Sequence, residues 1–211
     1  APLEPLRGVR RTMAKAMALS HAEVVPVTIY EDADIDLWKN QGDITVRVIR
    51  AVIRACHAEP ALNSWYDALA IGRRLLKKID LGMAVDTEDG LFVPVLRDVA
   101  DRPYNTLRKD VERIKQGIRD RTIPPADLQG ATITLSNFGT FAGRYASPII
   151  VPPSVAILAT GKIRQAVVPL NGHPVIHWIL PLSLSFDHRA VTGGEDTRFV
   201  GHLVQDLEKS E

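Results

Sequence analysis

The chain alternates between two hydrophobic periods. Apolar residues recur every four positions at Val9, Met13 and Met17, with arginine and lysine between them, which is typical of an amphipathic helix with a basic face. From residue 25 to residue 35 the apolar positions alternate with polar ones, so this stretch predicts a half-buried strand. The change of period places the boundary between helix and strand near Pro26.

Helical spacing returns over residues 44–59, where Asp43 is expected to cap the helix and Pro60 to end it. Cys56 lies on the apolar side, which favours a packed thiol over a nucleophile. The opposite side carries Arg47, Arg50 and Arg54. We interpret these arginines as a solvated helix face, with a phosphate-binding patch as the less favoured alternative.

The rest of the chain continues the alternation of strands and helices. Strand patterns occur at "KIDLGMAVDTEDGLFVPVL", with a turn at Asp89 and Gly90, at "ATITLSNFGTFAG", at "SVAILATGKI" and at "HPVIHWILPLSLSF". Helical patterns occur over residues 105–118 and from about Gly194 onward. We therefore expect an α/β sandwich that forms one domain over residues 1–211.

Composition excludes several classes of function. The net charge is +1, which provides no domain-wide basic field, so neither nucleic acid nor a membrane is expected as a partner. No apolar run reaches the roughly 18 residues that a bilayer span requires. The single cysteine fits a reducing compartment, and the expected location is cytoplasmic.

Most of the six histidines are expected to be structural. His173 and His177 have a spacing that suits metal binding on a helix, but Pro174 and the β-branched residues after it predict a strand, so no metal site is expected. The other histidines without partners at ligand spacing are His21, His57 and His202. His188 is the remaining histidine and the candidate for a functional role.

His188 follows a core strand directly, in "SFDHRAVTGG". A histidine there can accept a proton near neutral pH, but with Asp187 and Arg189 it could equally form a structural ion cluster. Ser136 and Asn137, at the end of another strand, provide a hydroxyl and an amide that suit an oxyanion. A base together with oxyanion donors indicates acyl transfer.

Four ordered motifs make the sequence similar to a known family. "IDLGMAVDTEDGLFVPV", "TITLSNFGTFAG", "VPPSVAILATGKI" and "SLSFDHRAVTGG" resemble the catalytic core of the dihydrolipoamide acyltransferases, which form the core of 2-oxo acid dehydrogenase complexes. "LRGVRRTMAKAM" resembles the start of the same core. The "SNFGTFAG" and "DHRAVTGGE" variants look most like the branched-chain acyltransferases of some bacteria.

The resemblance implies a chloramphenicol-acetyltransferase-like fold, a two-layer sandwich with a mixed β-sheet flanked by helices. It implies a homotrimer or larger core assembly with each active site between two subunits. His188 would take the proton from the thiol of coenzyme A or of the dihydrolipoyl arm, and Ser136 would donate to the oxyanion. Asp86, Ser136 and Asn137 match positions that contact coenzyme A, and Thr45 stands where the family has a serine with that role.

The family also implies partners. Coenzyme A would be a substrate, the lipoyl group would be carried on a separate domain, and no metal is required. Lipoyl domains and the dehydrogenase and dihydrolipoamide dehydrogenase components would be the partners. No lipoyl or partner-binding domain is visible in the sequence, so we expect the catalytic core alone.

Three features depart from the family pattern. Thr192 stands where the family has Asp or Asn four residues after the histidine, and we include it among the candidate catalytic residues. The segment "DLWKNQGD" is short and offers Lys39 in place of an arginine that contacts coenzyme A. The ending "DLEKSE" replaces an apolar tail, so assembly beyond the trimer is open.

Two alternatives remain. The main alternative is an acyltransferase-like scaffold that has lost catalysis. The other is an active enzyme of the family that is specific for acetyl or succinyl groups. A serine hydrolase that uses Ser136, His188 and Asp187 is disfavoured, because adjacent residues on an extended chain point to opposite faces and the G-x-S-x-G elbow is missing.

Overall fold

The computed structural model describes residues 1–88, 90–140 and 142–210. Within these ranges there are four α-helices, and none of them combines the length and the hydropathy needed to cross a bilayer. The helices are α1 Gly8–Glu23, α2 Ile44–Ala58, α3 Tyr104–Arg119 and α4 Gly193–Leu207. The strands are β1 Pro26–Asp34, β2 Ser64–Asp67, β3 Gly72–Leu75, β4 Leu81–Thr87, β5 Gly90–Phe92, β6 Val95–Leu96, β7 Ile133–Asn137, β8 Ala156–Thr160, β9 Arg164–Leu170 and β10 His173–Asp187.

A mixed sheet forms one layer of the molecule. Its strand order is β1-β10-β8-β7-β4-β5, with β6 added to β4 and β9 added to β10. β4, β7 and β8 run parallel to one another, whereas β10 runs antiparallel to both β1 and β8. β2 and β3 form a separate antiparallel hairpin. The mixed sheet with flanking helices confirms the predicted fold class.

Three helices cover the sheet and close the core. α2, α3 and α4 bury their apolar residues in the same cluster as the inward side chains of the strands. Phe186 of β10 and Phe199 of α4 are the largest side chains that are fully buried there. Removal of this apolar surface from water supplies the main favourable free energy of folding. α1 buries only Ser20, so it lies outside this core.

The predicted elements are confirmed, with two omissions. The helices and the quoted strands occur where the patterns place them, and Asp43 caps α2 by accepting a hydrogen bond from the Val46 amide at 3.0 Å. The hairpin β2–β3 and the strand β9 were not predicted. β4 and β5 form the expected hairpin through Thr87 and Gly90, and Asp89 of the predicted turn lies outside the described residues.

The interpretation of the α2 arginines as a solvated face is wrong for Arg47. Its side chain is 4% exposed and donates to Asp206 of α4 at 2.6 Å. Arg54 pairs with the same carboxylate. α4 packs over this side of α2 and supplies the charge that an arginine needs in order to be buried. Cys56 is buried as predicted, and burial raises the pKa of its thiol, so it is a poor nucleophile.

Candidate active site

Asp187 and Arg189 form the turn that follows β10. The buried Asp187 carboxylate accepts hydrogen bonds from the Arg189 guanidinium, at 2.7 Å and 3.0 Å, and from the Arg189 amide at 3.1 Å. The Asp187 carbonyl accepts from the amides of Ala190 and Val191, at 3.0 Å each. Of the three adjacent ionisable residues, these two therefore form a structural ion pair.

His188 stands between them and is exposed. Its amide donates to the Val25 carbonyl at 2.9 Å, and its ring lies 5.5 Å from the Phe186 ring. No side chain of the described part of the chain hydrogen-bonds to this imidazole. The backbone is fixed and the ring is accessible, so the imidazole can exchange a proton with a bound molecule. Because Asp187 is paired with Arg189, it does not orient His188 as a hydrolase triad would require.

Thr192 caps α4. Its hydroxyl accepts a hydrogen bond from the Glu195 amide at 3.3 Å, while a Glu195 carboxylate oxygen accepts from the Thr192 amide at 2.8 Å. This is a capping box, which satisfies two amides at the start of a helix. The hydroxyl of Thr192 also donates to this Glu195 oxygen, so the structure places it in the helix cap.

Ser136, Asn137 and Asp86 lie together at another edge of the sheet. The parallel register of β4 and β7 pairs Ala84 with Ser136. Because side chains alternate with period two, Asp86 and Ser136 share one face of the sheet and Asn137 projects from the other. The Asn137 side-chain oxygen accepts from the Gly139 amide at 3.2 Å.

Two glycines close this edge. A Cβ atom placed on Gly139 would come within 2.2 Å of the carbonyl carbon and oxygen of Gly161. Only glycine allows the two backbones to approach so closely. The "SNFG" and "ATGK" motifs thus bring the chain after Ser136 onto the end of β8.

Thr45 lies on α2 and not on these strands. It is in the first turn of α2, after the segment that follows β1. At the end of β1, the Asp34 amide donates to the Glu208 carboxylate just beyond α4. Lys39 of the intervening segment places its Nζ 3.5 Å from the centroid of the Trp178 ring. Of the four residues predicted to contact coenzyme A, Asp86, Ser136 and Asn137 lie on the paired strands β4 and β7, whereas Thr45 lies on α2. Lys39 contacts the Trp178 ring as a cation–π pair.

The structure does not bring His188 and Ser136 together within one chain. Ser136 pairs with Ala159 of β8, which pairs with Ser183 of β10. His188 follows Ser183 by five residues and stands just beyond the end of β10. At ~3.3 Å per residue and ~4.8 Å between strands, His188 and Ser136 are roughly 19 Å apart. The predicted base and the predicted oxyanion donor stand at opposite ends of the sheet.

The His173 and His177 pair has no metal-binding geometry. The two side chains lie on β10, and the His177 Nδ1 atom is 2.6 Å from an Asp34 carboxylate oxygen. This hydrogen bond raises the pKa of His177. Within the described ranges, no three or more His, Cys, Asp or Glu side chains are grouped so that they could hold a metal ion.

Three residues near the His188 turn were not singled out from the sequence. Arg73 of β3 contacts the turn and Glu195, and Asp196 of α4 is fully buried with neither carboxylate oxygen hydrogen-bonded to a described group. "TGGE" is a capping-box pattern that predicts the role of Glu195. No local signal marks Arg73, because its contacts depend on how the β2–β3 hairpin packs.

Comparison with known proteins identifies one family along almost the whole chain. The model for the catalytic domain of the 2-oxoacid dehydrogenases acyltransferase matches residues 2–211. The acetyltransferase component of the pyruvate dehydrogenase complex of Mycoplasma pneumoniae is 30% identical over 95% of this chain and 54% of its own length. The chain thus spans about half the length of the curated relatives it matches. That relative carries an acetyltransferase name, and the branched-chain subtype is not supported.

Solved structures show the same fold. A dihydrolipoamide acetyltransferase from Azotobacter vinelandii, investigated for the catalytic roles of a serine, a histidine and an asparagine, has a TM-score of 0.92 at 27% identity and covers 99% of this chain and 92% of its own. The cubic core of a pyruvate dehydrogenase multienzyme complex has a TM-score of 0.88 at 29% identity, with coverage of 99% and 92%. Chloramphenicol acetyltransferase has a TM-score of 0.58 at 14% identity, with coverage of 98% and 99%, and shares the fold alone.

Proposed function

The chain belongs to the family of 2-oxoacid dehydrogenase acyltransferases, whose catalytic domain it contains, and from that premise we propose that it transfers an acyl group between coenzyme A and dihydrolipoamide. The single observation that carries this proposal is an exposed imidazole, that of His188, on a backbone turn that buried groups hold in place. The lipoyl domains and the two dehydrogenase components are proposed as partners of the longer protein.

His188 serves as the general base. A thiol of pKa about 8.5 is mostly protonated at neutral pH, so it needs a base to become a nucleophilic thiolate. The thiol proton passes to the imidazole while the sulfur attacks the thioester carbonyl. The tetrahedral intermediate then expels the other sulfur as a thiolate, which takes the proton back. No acyl-enzyme forms, because the acyl group moves directly between two sulfurs.

Ser136 stabilises the oxyanion of that intermediate. Its hydroxyl is partly exposed at the end of β7, beside Asp86 on the same face. In the Azotobacter vinelandii enzyme the investigated serine and histidine are 52 positions apart, and the asparagine follows the histidine by four. Ser136 and His188 have the same separation of 52, and Thr192 follows His188 by four. The matching spacing supports the roles of His188 and Ser136.

Each active site combines residues from two subunits. His188 and Ser136 are too far apart to meet in one chain, but a closed ring with head-to-tail contacts places one end of each subunit against the other end of its neighbour. We propose a homotrimer of this kind. The cubic core formed by a structural relative supports further assembly. Asp86, Asn137 and Thr45 are proposed contacts of coenzyme A, and Lys39 is proposed to attract one of its phosphates.

Acetyl is the acyl group that the relatives favour. The curated relative of Mycoplasma pneumoniae, like one of Staphylococcus aureus that is 31% identical over 99% of this chain, is named an acetyltransferase component. A panel of acetyl-, isovaleryl- and succinyl-CoA, offered with free dihydrolipoamide, tests this choice. We expect the highest kcat/KM with acetyl-CoA. A preference for isovaleryl-CoA would restore the branched-chain alternative.

The same assay tests the activity itself. Thioester formation on dihydrolipoamide should be measurable with the folded protein and should slow by about 10² to 10⁴ in His188→Ala. A folded assembly that transfers no acyl group of the panel would support the scaffold alternative, in which the fold serves assembly alone.

A further inference from the structure

The β2–β3 hairpin contacts the turn that carries His188. Tyr66 and Arg73 are directly opposite each other on the two strands. The Arg189 guanidinium lies 4.5 Å from the centroid of the Tyr66 ring, and the Arg73 guanidinium donates to the Ala190 carbonyl at 2.6 Å. One cross-strand pair therefore contacts the two residues that follow His188.

Arg73 also reaches the start of α4. Its second Nη atom donates to a Glu195 carboxylate oxygen at 2.7 Å. The other oxygen of this carboxylate accepts from the Thr192 amide at 2.8 Å and from the Thr192 hydroxyl at 3.1 Å. A continuous set of hydrogen bonds thus runs from Arg73 through Glu195 to Thr192, and a second bond ties Arg73 to Ala190.

These contacts complete the restraint on His188. On one side of His188, Asp187 is fixed by its pairing with Arg189 and by β10. On the other side, the backbone from Ala190 to Thr192 has Arg73 and Glu195 as its side-chain partners among the described residues. The imidazole itself has no hydrogen-bond partner among the described residues. The position of its ring therefore depends on the backbone.

We propose that Arg73 is a positioning residue that, together with Glu195, holds the His188 turn in the geometry needed for proton transfer. The proposal rests on the proposed function. Arginine suits this role because its planar fork donates two hydrogen bonds in fixed directions, here to a carbonyl and to a carboxylate. In this chain the fork and Glu195 fix Thr192, the residue that departs from the family's Asp or Asn.

The role is geometric, because Arg73 joins the backbone of the turn to the cap of α4. The Arg73 and Glu195 side chains are 32% and 16% exposed, so their ion pair is partly buried and also contributes to stability. The hydrogen bond from Arg73 lowers the pKa of Glu195 to about 2, so the carboxylate stays charged at working pH. A misplacement of a catalytic group by about 1 Å can cost up to ~10²-fold in rate.

Steady-state kinetics of Arg73→Ala test the proposal, with Arg74→Ala as the matched control. Arg74 is the next residue on β3, its side chain is 76% exposed, and it makes only a 3.9 Å contact with Asp67. We expect Arg73→Ala to lose roughly 10- to 10²-fold in kcat with the KM for acetyl-CoA unchanged. Arg74→Ala should keep the wild-type kcat and Tm, and the kinetics of all variants are compared at a temperature well below the Tm of Arg73→Ala.

Two further variants separate positioning from loss of charge. Arg73→Lys keeps the charge but lacks the fork, so it should recover little of the lost kcat. The losses of Arg73→Ala and Glu195→Gln should not multiply in the double variant, because both changes break the hydrogen bond between Arg73 and Glu195. A wild-type kcat in Arg73→Ala, full rescue by lysine, or multiplied losses in the double variant would overturn the proposal.

A spectroscopic measurement distinguishes this failure from failure of the proposed function. With ¹³C-labelled histidine rings, the His188 signal is assigned by its absence in His188→Ala. Arg73→Ala should shift or broaden that signal and leave the signals of the other histidines in place, whereas Arg74→Ala should change none. If the wild-type protein transfers no acyl group, the proposed function is wrong. The His188 signal still shows whether Arg73 positions the His188 turn. An unchanged His188 signal in Arg73→Ala would contradict this positioning.

Discussion

At the scale of single residues, the turn after β10 divides three ionisable side chains between two tasks. Asp187 is buried and pairs with Arg189, so these two side chains stabilise the backbone of the turn. His188, between them, is exposed and keeps its imidazole available. A buried carboxylate needs such a partner, because leaving it unpaired would cost several kcal/mol.

His188→Ala tests the proposed base. We expect kcat to fall by about 10² to 10⁴, since that is the usual contribution of a general base, while the KM for acetyl-CoA changes little. His202→Ala, at an exposed position of α4, is the matched control and should retain wild-type kinetics. A His188→Ala variant with near-normal kcat would remove the residue from the mechanism.

The buried carboxyl of Asp196 should make the stability of the protein depend on pH. Burial raises the pKa of its carboxyl to about 7. The carboxyl is neutral in the folded state at low pH, so its contribution to stability is complete below the unfolded pKa of about 3.9 and is lost as pH rises through about 7. Asp196→Asn cannot ionise, so at pH 8 it should be more stable than wild type by at most about 4 kcal/mol.

Urea unfolding at pH 5 and pH 8, at one protein concentration, checks this expectation. The advantage of Asp196→Asn should be much smaller at pH 5 than at pH 8. Asp101→Asn, at an exposed carboxylate, serves as the control and should show no such trend. An equal difference between Asp196→Asn and wild type at both pH values would show that Asp196 does not titrate with a raised pKa.

How far the sequence predicts this site differs from one residue to the next. His188 and Ser136 carry signals in local motifs, because each lies at the end of a recognisable strand, whereas Asp86 was predicted from the family resemblance alone. Arg73 carries none, since its role arises from packing between elements distant in sequence. The same is true of Asp196, whose burial depends on what covers the first turn of α4.

At the scale of elements, charge couples α2 to α4. Asp206 of α4 accepts from Arg47 at 2.6 Å and also pairs with Arg54. Burial tends to raise the pKa of Asp206, but the hydrogen bonds from the two arginines outweigh burial and lower it. The pair therefore remains charged although the Arg47 and Asp206 side chains are 4% and 8% exposed.

Arg47→Ala should destabilise the protein by up to about 3 to 5 kcal/mol, because it removes one partner of a buried ion pair and leaves Asp206 with Arg54 as its remaining arginine partner. Arg113→Ala on α3, whose side chain is 64% exposed, should change stability by less than about 0.5 kcal/mol. Chemical unfolding of the two variants gives the comparison. A small effect of Arg47→Ala would mean that Asp206 is compensated by Arg54 alone.

Periodicity predicts the long elements and misses the short ones. Helices α2 to α4 and strands β4, β7, β8 and β10 bury apolar residues in the core, so their positions follow from the sequence. α1 and β1 also follow from apolar spacing, although they bury one residue each. β2 and β3 have four residues each and are largely polar, so they show no alternation. β9 pairs only with β10 and contains Pro169, which is compatible with an edge strand but weakens a strand prediction.

At the scale of the whole molecule, the sheet separates the two proposed halves of the active site. The register places His188 and Ser136 roughly 19 Å apart, by strand geometry. No single-chain pattern could show this distance, because it depends on which strands are neighbours and in which direction they run. The resemblance to the acyltransferase family implied a site between subunits, and the topology supplies an independent physical reason for it.

Complementation between two inactive variants tests the shared site most directly. Chains with His188→Ala are co-expressed with chains with Ser136→Ala, so that mixed trimers form. In a ring of identical head-to-tail contacts, every mixed trimer contains one interface at which an intact His188 meets an intact Ser136. With equal random mixing, three-quarters of the trimers are mixed and one site in three is restored, so activity should recover to about one quarter of wild type. Each variant assembled alone should remain far below that level, and activity of the mixture no higher than the average of the two variants would contradict an active site formed between subunits.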